Sequence, residues 1–457
     1  MFKKYKKIIA LFLILIVFSS TLYFSKSFII NSLDMEKKFL ILKYIFPYKR
    51  IKQLDKLVAS YDKKLKEQYK IVYNYSLDEE INFKKNLSDL SSDRIRNIKL
   101  SNDLILSKYS NLDGFHAGIN NIQPGSGYID FHDENLIILS SRGIIGYNKE
   151  IKGEKILFKQ IPNNTDDFID KNQFSKYKWF SLKDLHIFNN NIFISYTEEI
   201  KSDCWNTSVI SSKMNYEKII FKKIFSSSSC IHSKNNVDKL FNAHQSGGRI
   251  ISLNNNEIIL SVGDYRNRQL SQDTKSINGK LIKININDSK YEILSKGLRN
   301  SQGMTFDKKN NFLLVTEHGP YGGDEINLVK LDQNDISNYG WPIASYGEHY
   351  GLRSNNDEMY KKYPLLKSHK DNGFIEPLKY FVPSIAISEI IKIKDNSYVV
   401  SSLSGHSIFF FNLNESEEII NFSKVEVFER VRDMFFKNNK IFLFLEDTAS
   451  IGIINLS

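Results

Sequence analysis

Six stretches of this sequence repeat one pattern: an apolar run of strand length, a short turn rich in Asn, Asp and Lys, and a second apolar run. The six copies are Tyr128–Ser140, Leu182–Tyr196, Arg249–Val262, Gly303–Glu317, Ile387–Ser402 and Val431–Glu446. No helical pattern alternates with them, which argues against a parallel sheet. Hairpins repeated in this way are typical of propeller blades. We therefore predict an all-β fold, a six-bladed β-propeller of four-stranded antiparallel blades over residues 96–457. A sandwich or barrel is the alternative, and the number of similar units argues against it.

The basic charge of the chain is concentrated near its N-terminus. The formal net charge is +11, and residues 1–70 contain 16 Lys plus Arg against 5 Asp plus Glu. The rest of the chain therefore carries equal numbers of basic and acidic side chains. No nucleic-acid-binding motif accompanies the charge, so we exclude nucleic acid as a partner.

An uncharged segment near the N-terminus predicts a membrane anchor. Four lysines precede the run from Ile8 to Phe24, which contains no charged residue. The run is slightly shorter than the ~20 residues that span a bilayer. It is longer than the apolar core of most signal peptides, and no Ala-x-Ala cleavage site follows it. We predict that residues 1–30 form a cytoplasmic basic tip and an uncleaved signal anchor, with the propeller on the periplasmic, extracytoplasmic side of the membrane. A cleaved signal peptide is the alternative.

Residues 31–95 are predicted to form a helical stalk and a linker. Apolar residues recur at helical spacing between Ile51 and Leu65, with lysines between them. The simplest expectation is that this apolar stripe packs against the propeller. The alternatives are contact with lipid and pairing with the stalk of a second copy in a homo-oligomer.

Cys204 and Cys230 are the only cysteines of the chain. They flank a hairpin-like stretch, and in an oxidising compartment we expect them to form a disulfide. Two free thiols are the alternative. His232 lies near Cys230, but two cysteines and one histidine make a poor zinc site because structural zinc takes four ligands.

The most informative stretch lies between residues 297 and 342. It reads Gly-Leu-Arg-Asn-Ser-Gln-Gly-Met, then an apolar run, then Thr-Glu-His-Gly-Pro-Tyr-Gly-Gly-Asp-Glu-Ile-Asn, and later Asn-Tyr-Gly-Trp-Pro. Arg299 and Asn300 follow one strand-like segment, and Gly319 and Pro320 follow the next. Two adjacent strand ends therefore present a cation and bare carbonyl groups to one pocket. A guanidinium suits a carboxylate ligand, and carbonyl oxygens suit a hard cation such as calcium. Glycines that only form a turn are the alternative.

This stretch resembles the signature of the soluble aldose and glucose dehydrogenases that use pyrroloquinoline quinone (PQQ), and the likeness covers roughly residues 120–457. The resemblance implies that His244, within Asn-Ala-His-Gln-Ser-Gly-Gly-Arg, is the base that takes the proton of a sugar hydroxyl. It also implies that Asp264 contacts the sugar. The other implied site residues are the PQQ ligands Arg299, Asn300, Arg430 and Arg432, the cofactor-calcium ligands Gly319 and Pro320, and the second-calcium ligands Glu325 and Tyr339.

The late arginine pair has a structural alternative. Arg430 and Arg432 are alternate residues of a predicted strand and project to the same side. An ion pair with Asp433 or Glu429 is the alternative role for at least one of them.

The sequence departs from the family pattern at three places. Ser404 stands where the family has a PQQ-contacting lysine. The spacing from His244 to Arg249 is one residue longer than the family pattern. Residues 180–185 read Phe-Ser-Leu-Lys-Asp-Leu where relatives have Gly-Gly-Leu-Leu, so the substrate-side wall has changed.

The resemblance implies an enzyme, a PQQ-dependent sugar dehydrogenase. The expected reaction is the PQQ- and calcium-dependent oxidation of an aldose to its lactone, with His244 as the base and hydride transfer to the quinone. The expected partners are a small-molecule sugar, an electron acceptor and the membrane. Because a fold does not fix a function, two other classes stay open: a non-catalytic propeller that binds a glycan or a protein, and a calcium-dependent, lactonase-like hydrolase.

Overall fold

The computed structural model describes residues 77–116, 127–148, 151, 153–176, 179–238, 240–333, 335–350 and 357–456. All of them belong to one compact unit, Val72–Ser457. The predicted membrane anchor and most of the predicted stalk lie outside the described residues. Within the described ranges, no helix has both the length and the apolar character that crossing a membrane requires.

Within these ranges 28 strands form six sheets, the blades. Blade one contains Leu90–Ser91, Tyr128–His132, Asn135–Leu139, Ile145–Asn148 and Leu157–Gln160; blade two contains Leu182–Phe188, Asn191–Lys201, Cys204–Lys213, Lys222–Phe225 and Ile231–His232; blade three contains Gly247–Ser252, Glu257–Val262, Lys280–Asn285, Tyr291–Lys296 and Ser337–Asn338. Blade four contains Ser301–Asp307, Phe312–Glu317, Asp324–Lys330 and Lys379–Phe381; blade five contains Ile387–Lys394, Ser397–Ser402, Ser407–Leu413 and Ile419–Glu426; blade six contains Val431–Lys437, Lys440–Leu445, Ser450–Asn455, Ile105–Tyr109 and Arg96–Lys99.

The innermost strands of the six blades form a closed ring around one axis. Each contacts the innermost strand of the next blade, from Tyr128–His132 of blade one round to Val431–Lys437 of blade six, which contacts blade one again. Each of the six predicted repeats contains the two innermost strands of one blade. The prediction of a six-bladed β-propeller is therefore confirmed.

Blade six joins the two ends of the propeller. Ile105–Tyr109 pairs antiparallel with Ser450–Asn455, and Arg96–Lys99 extends the same sheet. The chain thus closes the ring by hydrogen bonds between an early and a late strand. This pairing covers a sheet edge that would otherwise be open to other chains.

We predicted that every blade would have four antiparallel strands, and this detail is wrong for four of the six blades. Blades one, two, three and six have a fifth strand. In blade three the fifth strand, Ser337–Asn338, pairs in parallel with Tyr291–Lys296. Leu90–Ser91 is the fifth strand of blade one, so the sheets begin before the predicted boundary at residue 96. These additions are two to four residues long, which is too short to show an alternating pattern.

The apolar core lies between neighbouring blades. Val399 and Ile408 of blade five pack in one fully buried cluster with Leu443 and Leu445 of blade six. Burial of each such side chain contributes roughly 1.5–3 kcal/mol to stability. The ring of blade interfaces therefore holds the innermost strands in place.

Short helices complete the propeller. The α-helices cover 77–86, Lys171–Lys176 and Asp357–Lys362, and the 3-10 turns cover Thr165–Asp167, Ala243–Gln245, Arg268–Ser271 and Lys370–Asn372. On helix 77–86, Lys84 Nζ donates to Thr165 Oγ1 at 2.7 Å, and Glu80 accepts from Arg142 at 2.7 Å. Both contacts are buried, so this helix is fixed to the propeller.

Cys204 and Cys230 form a disulfide, as expected. Cys204 begins the third strand of blade two, and Cys230 precedes Ile231–His232, which pairs with that strand. The bond therefore fixes the short outer strand to blade two.

Buried carboxylates on innermost strands connect adjacent blades. Asp130 of blade one accepts a hydrogen bond from the Ile187 N–H of blade two at 2.7 Å. Asp184 of blade two accepts from the Ile250 N–H of blade three at 2.7 Å. These bonds set the register of each innermost strand against the next.

Arg249 lies where three of these acidic strands meet. Its Nη1 atom is 2.7 Å from Asp184, 2.5 Å from Glu389 and 3.0 Å from Asp433, and all four side chains are buried. Burial raises the pKa of Asp184 to about 7 and that of Glu389 well above its usual value. One guanidinium therefore offsets three acids from blades two, five and six.

Candidate active site

The strand order brings most of the predicted site residues to one end of the propeller axis. His244, Arg299 and Arg430 each lie just before an innermost strand. Gly319 lies just after a second strand. In each blade the innermost strand and the second strand form an antiparallel hairpin. The start of the innermost strand and the finish of the second strand therefore lie at the same end of the axis.

His244 is held as a neutral imidazole. It lies in the 3-10 turn Ala243–Gln245, where the Asn242 side chain accepts a hydrogen bond from the His244 N–H at 2.9 Å and caps the turn. The imidazole packs on the Trp179 indole, with ring centroids 4.5 Å apart. Burial, and then the charge of Lys183, hold the pKa of His244 well below its usual value. The ring is therefore unprotonated near neutral pH, which is the form that a general base requires.

Arg299 is held by a network that includes Gln245, a residue the sequence analysis did not single out. Arg299 Nη1 donates to the His318 carbonyl at 2.7 Å, and its guanidinium lies 5.4 Å from the Trp341 ring. With the Gln245 amide oriented to satisfy its neighbours, its oxygen accepts from Arg299 at 2.8 Å and from Arg266 at 3.0 Å. Gln245 thus joins two guanidinium groups without neutralising either. Its position next to His244 in the sequence could have identified Gln245 as a site residue.

Asp264, the predicted sugar contact, hydrogen-bonds to groups of the protein. Its side chain is fully buried. It accepts hydrogen bonds from Trp341 Nε1 at 2.9 Å, from the Arg266 N–H at 2.8 Å and from the Gln245 amide at 3.0 Å. Burial raises the pKa of Asp264. The carboxyl group therefore positions Trp341 and Gln245.

Asn300 connects blade four to the loop that carries the histidine. Its Oδ1 accepts from the Gly247 N–H at 3.1 Å and from Gln302 Nε2 at 3.0 Å. Its backbone carbonyl accepts from the His318 N–H at 3.1 Å. Asn300 therefore aligns the two loops that enter the site.

Arg430 and Arg432 share one carboxylate. Arg432 donates to Glu446 Oε2 from Nε at 3.1 Å and from Nη2 at 2.8 Å, and Arg430 Nε lies 3.6 Å from Glu446 Oε1. The expected alternative partners, Asp433 and Glu429, contact other cations. The alternative role, an ion pair with an acid, is therefore present, but the acid is Glu446 and not Asp433 or Glu429.

Gly319 and Pro320 form the tight loop expected of a carbonyl site. The Gly319 N–H donates to Asp324 at 3.0 Å, and a Cβ atom on Gly319 would lie 2.2 Å from the Gly323 carbonyl oxygen. Only glycine fits there. The Pro320 carbonyl accepts from the Tyr350 hydroxyl at 3.1 Å and keeps a second lone pair.

Glu325 and Tyr339 line a small buried cavity together with Glu317 and His369. Glu317 and Glu325 lie opposite each other on paired strands. Burial raises the pKa of Glu325 to about 8, and burial plus the Glu325 charge raises that of Glu317. His369 lies 3.4 Å from Glu325, but burial lowers its pKa, so it is no cation.

The acids of this cavity do not form a metal site by themselves. Across the described ranges, no three His, Cys, Asp or Glu side chains group in a way that could hold a metal ion. A cation there would need carbonyl oxygens or water as further ligands.

The neighbours of His244 include two residues that the sequence analysis left without a role, Trp179 and Lys183. Lys183 Nζ donates to the Trp179 carbonyl at 2.8 Å. Ser404, at the position of the family lysine, is exposed. The altered motif at residues 180–185 was the signal that could have located Lys183.

A group of cationic side chains lies at this end of the axis, near the buried acids Asp264 and Glu317. The five cationic side chains are Lys183, Arg266, Arg299, Arg430 and Arg432. Among the described residues, the first three make no ion pair with a carboxylate, and the last two share Glu446. Such a site suits a polyanionic ligand.

Fold and site together define a six-bladed propeller with a group of cationic side chains beside a neutral histidine. A family model described as Glucose / Sorbosone dehydrogenase matches residues 182–455, more than half of the chain. The chain belongs to the glucose/sorbosone dehydrogenase family.

Curated relatives agree with this assignment. The aldose sugar dehydrogenase YliI of Escherichia coli is 31% identical over 163 residues, which cover 33% of this chain and 41% of that protein. Quinoprotein glucose dehydrogenase B of Acinetobacter calcoaceticus is 27% identical over 185 residues, which cover 30% of this chain and 37% of that protein. The aligned stretches thus span less than half the length of each of these two relatives.

Solved structures share the fold over most of the described propeller. The apo form of the E. coli soluble aldose sugar dehydrogenase aligns with a TM-score of 0.56 and 19% identity, covering 73% of this chain and 95% of that chain. The PQQ-bound form of an aldose sugar dehydrogenase from Streptomyces coelicolor aligns with a TM-score of 0.54 and 18% identity, covering 74% and 95%.

Proposed function

We propose that this protein is a PQQ-dependent dehydrogenase that oxidises an aldose sugar to its lactone. The observation that carries the proposal is the group of cations beside a neutral His244, which suits a polyanionic cofactor next to a base. Membership in the glucose/sorbosone dehydrogenase family supports it. A relative is named aldose sugar dehydrogenase, and a structural neighbour is a PQQ-bound aldose sugar dehydrogenase.

The residues present fit PQQ. Arg299, Arg430 and Arg432 would hold its acidic groups, because buried guanidinium groups bind carboxylates through paired hydrogen bonds. Asn300 would bind a polar edge of the ring system. Among the described residues Arg299 makes no ion pair with a carboxylate, whereas Arg430 and Arg432 share Glu446.

His244 would act as the general base. When bound, PQQ supplies the two-electron acceptor for the hydride of the sugar carbon. The neutral imidazole takes the proton of the hydroxyl on that carbon. The Asn242 cap and the Trp179 contact fix the ring for this step. The neighbouring cations disfavour a lasting imidazolium, so the proton is released between turnovers.

Titration of the purified full-length chain with PQQ in the presence of Ca²⁺, followed by dye-linked assays on a panel of aldoses, tests the proposal. We expect saturable PQQ binding and aldose-dependent dye reduction. PQQ binding with no turnover of any aldose would favour a non-catalytic glycan- or protein-binding propeller. Hydrolysis of a lactone without PQQ would favour the hydrolase.

We further propose two calcium sites, one on the Gly319 and Pro320 carbonyls beside the cofactor and one at Glu325 and Tyr339. For the second site, the support is a pair of buried acids, Glu317 and Glu325, whose pKa values are raised by burial and, for Glu317, also by the charge of Glu325. A hard divalent cation would remove that repulsion.

We expect Ca²⁺ at about 100 times its Kd to raise the free energy of unfolding by about 2.7 kcal/mol. Glu325→Gln should lose most of this increment, because it removes one of the two buried charges. Glu426→Gln, an exposed acid of blade five, is the control. Denaturant unfolding with and without chelator measures the effect, and parental behaviour of Glu325→Gln would rule out this second site.

We also propose that residues 1–30 anchor the protein in a membrane with the propeller on the periplasmic side. The support is the run of lysines before the uncharged segment from Ile8 to Phe24. Full-length protein should fractionate with membranes. A shortened, soluble mature protein would show instead that the segment is cleaved.

A further inference from the structure

Lys183 lies beside His244 although neither the family pattern nor the reaction requires a lysine there. It is the second residue of Leu182–Phe188, the innermost strand of blade two, near the end of the axis where the site lies. Its Nζ atom donates to the carbonyl of Trp179, whose indole packs on His244. Of the charged groups that lower the pKa of His244, Lys183 has the largest effect. The ammonium and the imidazole therefore face the same space.

The Lys183 ammonium lacks an acidic partner. Among the residues that the structure describes, no carboxylate lies within ion-pair distance of it, and its one hydrogen bond uses one of three donors. Burial, together with the nearby Arg432, lowers the pKa of Lys183 to about 7. An unpaired ammonium at such a position costs free energy. An anion bound between Lys183 and Arg432 would offset that cost.

The backbone at Gly248 lies directly against the stem of Lys183. Gly248 belongs to the segment between His244 and Arg249, which is one residue longer than the pattern. The backbone of Gly248 has a φ of +116°, and a Cβ atom there would lie 2.5 Å from the Lys183 Cβ. Strand pairing in blade three shifts register at this point, between Gly247 and Ile250. The backbone therefore passes close to the lysine stem at Gly248, where the chain has no side chain.

We propose that Lys183 is a cofactor-binding residue that supplies, from blade two, the cation that Ser404 does not supply from blade five. This inference rests on the proposed PQQ function. Ser404 follows the second strand of blade five, Ser397–Ser402, at the same end of the axis. Loss of a lysine at one side of the site and gain of one at another would keep the charge of the site unchanged.

Equilibrium titration of the calcium-loaded full-length chain with PQQ, followed by cofactor absorbance, tests the inference without an activity assay. Lys183→Leu, which removes the charge and keeps an apolar side chain, should raise the Kd for PQQ about 10- to 100-fold, the range for loss of one charge-assisted hydrogen bond. Lys183→Arg should bind within a few-fold of the parent. The double variant Lys183→Leu/Ser404→Lys should regain at least tenfold of the lost affinity. Lys290→Leu, an exposed lysine far from the site in sequence, should bind as the parent does.

The pH dependence gives a readout that a purely structural role would not move. The charged and titratable groups that face Lys183 are Arg432 of blade six and His244 of the loop before blade three, and neither changes charge between pH 6 and 9. A lysine with a pKa of about 7 loses its charge above that pH, so parental PQQ affinity should fall as pH rises from 7 to 9. In Lys183→Arg that fall should be absent.

Each outcome decides the inference. A parental Kd and parental pH dependence in Lys183→Leu would overturn it while leaving the PQQ function intact. An equal loss in Lys290→Leu, or no recovery in the double variant, would also overturn it. If the parent itself binds no PQQ, the proposed function fails first and the role of Lys183 fails with it.

Discussion

His244→Gln should retain PQQ and calcium yet lose turnover by about 10²–10⁴-fold, the usual contribution of a general base. Glutamine keeps a polar side chain of similar length but cannot take up a proton at neutral pH. The Asn242 cap bonds the His244 backbone and does not depend on the side chain. Dye-linked kcat at saturating PQQ, and the Kd for PQQ by absorbance, measure the two effects separately.

Arg299→Ala is the contrasting variant for this experiment. Loss of its charge should weaken PQQ binding by about 1.5–3 kcal/mol, and excess PQQ should restore part of the activity. Added PQQ should restore nothing in His244→Gln. If that variant oxidised aldoses at the parental rate, or recovered with excess cofactor, His244 would not be the base.

Arg249→Met should destabilise the propeller by about 3–5 kcal/mol, because it leaves three buried carboxylates without the guanidinium they share. The acids come from three different blades, so the loss acts on the ring as a whole. Arg94→Met removes an exposed ion pair with Glu154 and is the control, with an expected effect of about 0–1 kcal/mol. Denaturant unfolding with the disulfide intact measures both.

The penalty at Arg249 should depend on pH. The pKa of Asp184 is raised to about 7 in the folded protein, so the folded state holds this proton over a range in which the unfolded state, with a pKa near 4, has released it. Stability from this group is therefore lost as pH rises from about 4 to 7. Removal of the guanidinium raises the folded-state pKa further, so the penalty should be larger at pH 8 than at pH 5.5. An equal penalty at both pH values would show that charge repulsion is not its cause.

The fold was predictable from the sequence because its signal is local and repeated. Each repeat contains two apolar strands and a polar turn, and six copies leave few architectures that bury them all. The fifth strands were not predictable. Leu90–Ser91 and Ser337–Asn338 have too few residues to show a pattern, and their pairing depends on the sheet beside them.

The place of a site residue could be predicted where its position in the repeat puts it at the correct end of the axis. Whether a side chain is buried could not be predicted in this way. His244 and Arg299 precede innermost strands, so their place at one end of the axis follows from the repeat. Asp264 precedes no such strand, and only the packing around Trp341 shows that its carboxyl group is buried. Glu446, the partner of both late arginines, lies across a hairpin, at the end of the strand that follows theirs.

A single-turnover measurement tests the central claim most directly. The full-length protein, loaded with calcium and one equivalent of PQQ and kept free of oxygen, is mixed with a panel of aldoses while the absorbance of the oxidised cofactor is followed. We expect at least one aldose to bleach this absorbance stoichiometrically and to yield an equal amount of lactone, and we expect His244→Gln to do so at least 100-fold more slowly. An unchanged spectrum with every aldose, while PQQ remains bound, would contradict the central claim.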